Sequence, residues 1–272
     1  MLDLQKIIRA ADSAAAAASE VLLARFRPDN SDPLDTFYKS PNALVTDADL
    51  TSDSAISEAL NAAGAPGRIL SEESETVLSG PSDDGDDSLT WLVDPLCGTV
   101  PFSMGMDHWG VNIALRRGGE LLAASMPLPS LGVRLSATRG GGVFLNGEPL
   151  QSNSPRQKLS ESAINLEIDG PDEWRKMLVA GLEWIPSVSQ INTFSSIAYP
   201  VGLMCMGRLP GGVYYGVDPV HFAAGAMIAG ELGLRVTDGV GEPIDWSNDD
   251  ELPVVVIGWP VIHQQLIEAM GG

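Results

Sequence analysis

The feature that most constrains this chain is the stretch 91–99, which reads Trp-Leu-Val-Asp-Pro-Leu-Cys-Gly-Thr. The apolar residues 91–93 predict a buried strand. We expect that strand to end at Asp94-Pro95, because proline has no N–H with which to continue a ladder. A carboxylate, a thiol, a glycine and a hydroxyl then lie together where the strand ends. Because α/β proteins bind ligands at strand ends, we expect the functional site here.

Composition narrows the classes of function. The chain has 272 residues, 44% of them apolar, which suffices for one large domain or two small packed domains. Its net charge of −20 opposes binding to nucleic acid or to an anionic membrane, and it suits a bound cation better. Two cysteines, no signal-peptide pattern and no apolar run of membrane-spanning length predict a soluble cytoplasmic protein.

Periodicity and turn signals predict the elements of each half. The first half has helical patterns at 4–26 and up to Gly64, a strand at 68–70, a surface loop at 81–87 and an antiparallel meander over 110–145. The second half has helices at 174–184, 195–207, 221–232 and 261–270, with strands at 187–192, 213–215, 234–237 and 254–257. The polar segment 151–158 is the predicted boundary, which divides the chain into domains 1–150 and 151–272.

Two acidic residues beside these elements are candidate site residues. Asp49 opens the second helical pattern, where a capping or first-turn acid stabilises a helix by about 1 kcal/mol. Glu72 follows the strand 68–70, and an acid at that point is either a solvated surface residue or part of a site. Local sequence leaves both alternatives open for each residue.

Four ordered elements resemble the inositol monophosphatase superfamily. The family's D-P-[ILV]-D-G-T core resembles 94–99, its Glu-Glu pair resembles 72–73, and its V-T-x-x-D element resembles 45–49. Its C-terminal W-D-x-A-A-G and E-x-G elements resemble 220–225 and 231–233. The resemblance covers nearly the whole chain. It implies an α+β fold, a layered α-β-α-β-α sandwich with a mostly antiparallel first sheet, a mixed second sheet and the site at their junction.

The resemblance also implies a chemistry, the Mg²⁺-dependent hydrolysis of a small phosphorylated metabolite. One ion would be held by Glu72, Asp94 and the Leu96 carbonyl, which are hard oxygen donors. Asp49 and Thr99 would orient the attacking water. Family members are often dimers, so a homodimer is among the expected partners.

Two positions depart from the family pattern. The family's second ion is held by Asp94 and by two further Asp residues, which align here with Cys97 and His221. The register supports the second assignment, because the family's Asp lies ten residues before the Glu that corresponds to Glu231. Thiolate and imidazole suit Zn²⁺ and similar ions better than Mg²⁺, so Zn²⁺ and Mn²⁺ are candidate cofactors beside the Mg²⁺ that the resemblance implies.

Three interpretations of this pair remain open. In the first, Cys97 is a small buried hydrophobe and His221 a helix N-terminal residue, in a relic that binds a small molecule without hydrolysing it. In the second, Cys97, His221 and Asp94 hold a softer metal and the phosphatase activity is retained. In the third, Cys97 is a nucleophile and His221 its base, in a hydrolase or transferase that acts on a non-phosphate substrate.

Substrate contacts are predicted mainly from the resemblance. The N–H groups of Gly98 and Thr99 would cradle the phosphate. The segment that corresponds to the family's sugar-contacting region contains Ser195 and Ser196. Residues 214–216, which include Tyr214, stand where inositol phosphatases place a carboxylate, and this argues against inositol phosphate itself. The predicted site residues are Asp49, Glu72, Asp94, Leu96, Cys97, Gly98, Thr99, Ser195, Ser196, Tyr214 and His221.

Overall fold

The structure is a computed structural model that describes residues 2–26, 34–40, 43–78, 88–168 and 182–271. Its first layer consists of helices α1 (Leu4–Arg25) and α2 (Asp47–Ala62), which pack against each other. Asp3 begins α1 by accepting hydrogen bonds from the N–H groups of Gln5 and Lys6. The alanines of α1 form a fully buried face that lets the two helices approach closely: Ala11, Ala14, Ala15 and Ala18.

An eight-stranded sheet forms the second layer, in the order β10-β9-β8-β7-β6-β5-β3-β4. The pair β3 and β5 is parallel, and the other neighbours are antiparallel, as predicted. A separate hairpin of β1 (Thr36–Ser40) and β2 (Ala43–Thr46) precedes α2. The strands of the sheet are β3 (Arg68–Ser71), β4 (Glu75–Val77), β5 (Leu89–Cys97), β6 (Gly110–Arg117), β7 (Glu120–Leu128), β8 (Val133–Thr138), β9 (Gly142–Leu145) and β10 (Glu148–Pro149).

The central strand β5 is buried along its whole length and runs further than the sequence predicts. We expected it to end at Asp94-Pro95, and this is wrong, because the strand continues to Cys97, which pairs with Gly110 of β6. Proline interrupts the ladder without ending it, and the register with β6 shifts between Asp94 and Cys97. This irregularity lies within the stretch that carries the predicted site residues.

A mixed five-stranded sheet forms the fourth layer, in the order β12-β11-β13-β15-β14. Its strands are β11 (Ala163–Ile168), β12 (Gln190–Asn192), β13 (Gly211–Val217), β14 (Arg235–Asp238) and β15 (Leu252–Gly258). The described helices of this half are α4 (Ala198–Cys205), α5 (Pro219–Leu232) and α6 (Pro260–Ala269). The short helix α3 (Thr99–Ser103) follows β5 in the first half. Short 3₁₀ turns lie at Pro129–Leu131, Leu159–Glu161 and Ile185–Ser187.

Helix α5 lies between the two sheets, since it packs on β5, β6 and β7 on one side and on β14 on the other. Small residues at 223–226 make this close packing feasible, and Ala223 and Ala224 are fully buried. Helix α6 covers the outer face at β15. The layers therefore alternate as α-β-α-β-α, as predicted. Among the described residues, no helix is long and apolar enough to cross a membrane.

The two sheets fall on either side of the predicted boundary 151–158, in residues 68–149 and 163–258. They share one apolar core, in which Leu92 of β5, Ala224 of α5 and Val255 of β15 all take part. The division into domains 1–150 and 151–272 remains a prediction. The predicted loop 81–87 and most of the predicted helix 174–184 lie outside the described residues. Strand β11 was not predicted, and it carries part of the site.

Candidate functional site

A pocket of about 320 Å³ opens where several strands end. Strands β3, β5, β11 and β13 all direct their carboxyl ends toward it, and the first turn of α5 closes one side. Most of the predicted site residues line it: Glu72, Asp94, Leu96, Cys97, Gly98, Thr99, Ser195, Ser196 and His221. Residues from both halves of the chain therefore meet in one cavity, of a size that suits a small molecule.

Three potential metal ligands converge in this pocket. Ligand atoms of Glu72, Asp94 and His221 all lie within 4.8 Å of one another. The Nδ1 atom of His221 is 2.8 Å from Asp94 Oδ2 and 4.0 Å from Glu72 Oε2. Asp94 is almost fully buried, with 1% of its surface exposed. Such a buried carboxylate requires a compensating partner, and here the partner is an imidazole from the opposite half of the chain.

Helix α5 holds His221 in place through its first turn. Asp218 caps the helix by accepting a hydrogen bond from the N–H of Val220, and its carbonyl accepts from the N–H of His221. The side-chain amide of Asn112, on β6, donates to the His221 carbonyl at 2.9 Å. The imidazole is thus fixed relative to both β6 and the end of β5, which limits how far it can move from Asp94.

Asp49 forms a second buried acidic centre, bonded to Thr99. Thr46 donates both its N–H and its hydroxyl to Asp49 Oδ2, which completes a capping box at the start of α2. The Thr99 hydroxyl lies 2.7 Å from Asp49 Oδ1 and 3.2 Å from the Leu96 carbonyl. Burial raises the pKa of Asp49 to about 6, although these hydrogen bonds oppose the increase. The capping and site interpretations of Asp49 are therefore compatible.

Cys97 lines the pocket, and its side chain is buried against the start of helix α4. Its Sγ accepts hydrogen bonds from the N–H groups of Ile197 and Ala198, at 3.2 and 3.3 Å, where helix α4 begins. Ser196 donates to the Cys97 carbonyl at 2.9 Å. Burial, and next the charge of Asp94, raise the pKa of the thiol well above its usual value. Among the described residues, Cys97 is not part of the metal-ligand group that contains His221.

These observations separate the roles of the two replaced positions. The geometry around Cys97, whose buried Sγ accepts two N–H groups, weighs against the interpretation of Cys97 as a nucleophile. It agrees with the interpretation of Cys97 as a small buried residue that satisfies the start of α4. His221, by contrast, stays with the carboxylates.

Gly98 gives the chain its turn between β5 and α3. Its φ of +108° lies in the left-handed region, and a Cβ there would lie 2.7 Å from the His108 carbonyl. A side chain at position 98 would therefore collide with the backbone at His108. Thr99 opens α3 immediately after this glycine.

Only some of the side chains predicted to contact the substrate line the pocket. Ser195 and Ser196 line it. Tyr214 does not, which corrects the sequence-based choice, because it is fully buried and packs edge-on against Phe222. Side chains alternate along a strand, so its neighbour Tyr215 faces the pocket instead.

Glu167 is a pocket residue that the sequence reasoning missed. It lies near the end of β11 with 8% of its surface exposed, and burial raises its pKa. The sequence does contain a signal for it. Ile164, Leu166 and Ile168 alternate with polar residues, which indicates a strand, and Glu167 is an acidic residue near the end of that pattern.

A family model and several known proteins match this chain. The model of the inositol monophosphatase family matches residues 3–270. The chain belongs to the inositol monophosphatase family. An inositol-1-monophosphatase of Mesorhizobium japonicum is 30% identical over 240 residues, which cover 87% of this chain and 86% of the relative. A putative Nus factor SuhB of Neisseria meningitidis is 27% identical, covering 78% of this chain and 80% of the relative.

Among solved structures, the extragenic suppressor protein suhB of Bartonella henselae is similar, with a TM-score of 0.83 and 25% identity. The match covers 97% of this chain and 98% of that one. The layered sandwich is thus the fold of the inositol monophosphatase family. Membership supports metal-dependent phosphatase chemistry in general.

The pKa of Asp49 leads to a prediction about stability. Its folded-state pKa of about 6 exceeds the ordinary value of 3.8, so folding is favoured when Asp49 is protonated. This contribution is fully present below pH 3.8 and is lost as the pH rises through 6. Relative to Asp49→Asn, the free energy of unfolding of the natural chain should fall by roughly 3 kcal/mol over that range. Urea denaturation with chelator present measures this, and a difference that is independent of pH would contradict it.

The position of Cys97 leads to a second prediction. Cys97→Ser keeps an acceptor for the two N–H groups that begin α4, whereas Cys97→Ala leaves them buried and unpaired. The alanine variant should therefore be less stable than the serine variant by about 1–3 kcal/mol. Iodoacetamide should label Cys97 no faster than Cys205, a buried thiol whose pKa is raised to about 12. Preferential labelling of Cys97, or loss of activity in a stably folded Cys97→Ser, would restore the nucleophile interpretation.

Proposed function

We propose that this protein is a divalent-metal-dependent hydrolase of a small phosphate monoester. The observation that supports the proposal most directly is the convergence of Glu72, Asp94 and His221 on one wall of the pocket. The bonded pair of Asp49 and Thr99 lies beside them, and Thr99 lines the same cavity. Carboxylate ligands beside a hydroxyl that is paired with a base are the groups that such a hydrolysis requires.

The three ligands fit a divalent cation. Two carboxylates and an imidazole are a mixed oxygen and nitrogen donor set, which Zn²⁺, Mn²⁺ and Co²⁺ accept more readily than Mg²⁺. His221 Nδ1 lies 2.8 Å from Asp94 Oδ2 and 4.0 Å from Glu72 Oε2. These two distances bracket the distance between two ligand atoms that bind the same ion. Glu72, Asp94 and His221 would hold the cation, with the Leu96 carbonyl as a further candidate. When bound, it neutralises phosphate charge and polarises the ester as a Lewis acid.

Asp49 is suited to accept the proton that hydrolysis releases. With a pKa of about 6 it is mostly ionised at neutral pH, yet it is a stronger base than an exposed aspartate. The Thr99 hydroxyl donates to Asp49 Oδ1, so it can accept a hydrogen bond from an attacking water and relay the proton. The phosphate would be positioned by the backbone at Gly98 and Thr99, where the absence of a side chain permits close approach.

A second candidate function is that of a non-catalytic factor. A relative from Neisseria meningitidis is named a putative Nus factor SuhB. The 2.8 Å contact between His221 and Asp94 favours this candidate if it is a permanent ion pair that replaces a metal. In that case the net charge of −20 points to a protein or small-molecule partner rather than to nucleic acid. A homodimer and a cytoplasmic location remain part of the proposal.

Metal titration separates these candidates. After removal of metal with chelator, calorimetry should show tighter binding of Zn²⁺ or Mn²⁺ than of Mg²⁺, and the same ions should support hydrolysis of phosphate monoesters. His221→Ala should weaken Zn²⁺ binding by about tenfold or more, because it removes the nitrogen donor. His221→Asp should shift the preference toward Mg²⁺ by restoring a hard oxygen donor.

The matched control is His108→Ala, which removes a half-buried histidine that is not part of the metal-ligand group. It should leave Zn²⁺ affinity unchanged. Equal affinities of the natural chain and His221→Ala for Zn²⁺, together with no hydrolysis under any cation, would reject the hydrolase and favour the non-catalytic factor.

A further inference from the structure

The pocket also has an aliphatic wall. Five residues from separate elements contribute to it: Leu44, Val100, Ile168, Ile197 and Val217. They come from β2, α3, β11, the residue before α4, and β13. Val100 is 46% exposed and Leu44 is half-buried, so this apolar surface continues to the mouth of the pocket. A bound molecule would contact it on entering.

The buried polar groups in the same region are already used by the chain. Each oxygen of Glu167 accepts two hydrogen bonds: Oε1 from Asn165 Nδ2 and the Phe194 N–H, and Oε2 from Thr193 Oγ1 and the Ser195 N–H. The carboxylate therefore holds the loop 193–195 in place. It has little remaining capacity to accept hydrogen bonds from a ligand.

Ser196 is occupied in the same way. Its hydroxyl donates to the Cys97 carbonyl at 2.9 Å and accepts from the Tyr199 N–H at 3.3 Å. Ser195 is exposed, and the hydroxyl of Tyr215 already accepts a hydrogen bond from Trp184 Nε1. A ligand with many hydroxyl groups would exchange hydrogen bonds to water for few or none in this part of the pocket, which is unfavourable.

From this distribution we infer that the preferred substrate is a phosphate monoester whose alcohol part is mainly apolar, rather than a phosphorylated polyol. The inference rests on the proposed phosphatase function and specifies its substrate class. The phosphate lies at the metal-ligand group, and the alcohol part lies against the aliphatic wall, where burial of apolar surface favours binding.

The charges of the pocket add a second restriction. The acidic and basic side chains that line its described part are three carboxylates and one imidazole: Glu72, Asp94, Glu167 and His221. A second phosphate or a carboxylate on the alcohol part would be repelled there. The substrate is therefore a monoester with no further anionic group.

Two esters with the same ring test the inference directly. Cyclohexyl phosphate and inositol 1-phosphate are both phosphates of a secondary cyclohexane alcohol, and they differ in the hydroxyl groups on the ring. We expect kcat/KM for cyclohexyl phosphate to be about tenfold higher or more, in the presence of the best-bound cation. The polyol is the better leaving group, so chemical reactivity alone predicts the opposite order. Binding of both esters by calorimetry, in parallel, tests the preference independently of turnover.

Substitutions in the aliphatic wall test the substrate preference in a second experiment. Val100→Asn and Ile168→Asn should each reduce the preference for cyclohexyl phosphate by about threefold or more, because an amide can bond to ring hydroxyl groups. Val77→Asn is the matched control, since Val77 is 81% exposed on β4 and does not line the pocket. It should leave the ratio of the two esters unchanged.

The outcomes separate the inference from the function on which it rests. Hydrolysis of both esters with equal rates, or with preference for inositol 1-phosphate, overturns the inference and leaves the phosphatase in place. No hydrolysis of either ester under any cation overturns the phosphatase. In that case, tighter binding of inositol 1-phosphate than of cyclohexyl phosphate would also overturn the apolar preference.

Discussion

The arrangement of the site depends on the buried carboxylate of Asp94. A charge with so little exposure is costly unless it is paired, and its two oxygens have two different partners. The Leu96 N–H donates to Oδ1 at 3.1 Å, which stabilises the irregular turn of β5 around Pro95. His221 Nδ1 lies 2.8 Å from Oδ2, which joins the first sheet to α5 across 127 residues of sequence. One side chain thus shapes the end of the central strand and brings the two halves of the site together.

The two unusual positions of this family member have separate physical roles. His221 remains beside Asp94 and Glu72, where it supplies a nitrogen donor in a group that otherwise consists of carboxylates. Cys97 lies at the same strand end and accepts hydrogen bonds from the first N–H groups of α4, so it contributes to the packing between strand and helix. The Cys97 sulfur and the His221 imidazole thus have different hydrogen-bond partners.

Much of this arrangement could be predicted from the sequence. The helical spacing of α1 and α2 and the alternation of the meander strands are local patterns that predict these elements. The ordered motifs carry the resemblance to the family, and the resemblance implies the layers and the meeting of Glu72 with His221. The hydrogen-bond partners of Cys97 could not be predicted, because they depend on where α4 packs. The choice between Tyr214 and Tyr215 could not be predicted either, because it depends on which face of β13 meets the pocket. The length of β5 was predicted too short, because β6 pairs with the strand again at Cys97, beyond Pro95.

The claim that Glu72, Asp94 and His221 hold a metal ion is tested most directly by a crystal structure of the protein grown with Zn²⁺. Diffraction data collected on both sides of the zinc absorption edge locate the ion by its anomalous signal. The account predicts an anomalous peak among the three side chains, with the His221 ring bonded to the ion instead of to Asp94. A structure in which His221 stays hydrogen-bonded to Asp94, with no anomalous peak in the pocket, would contradict it.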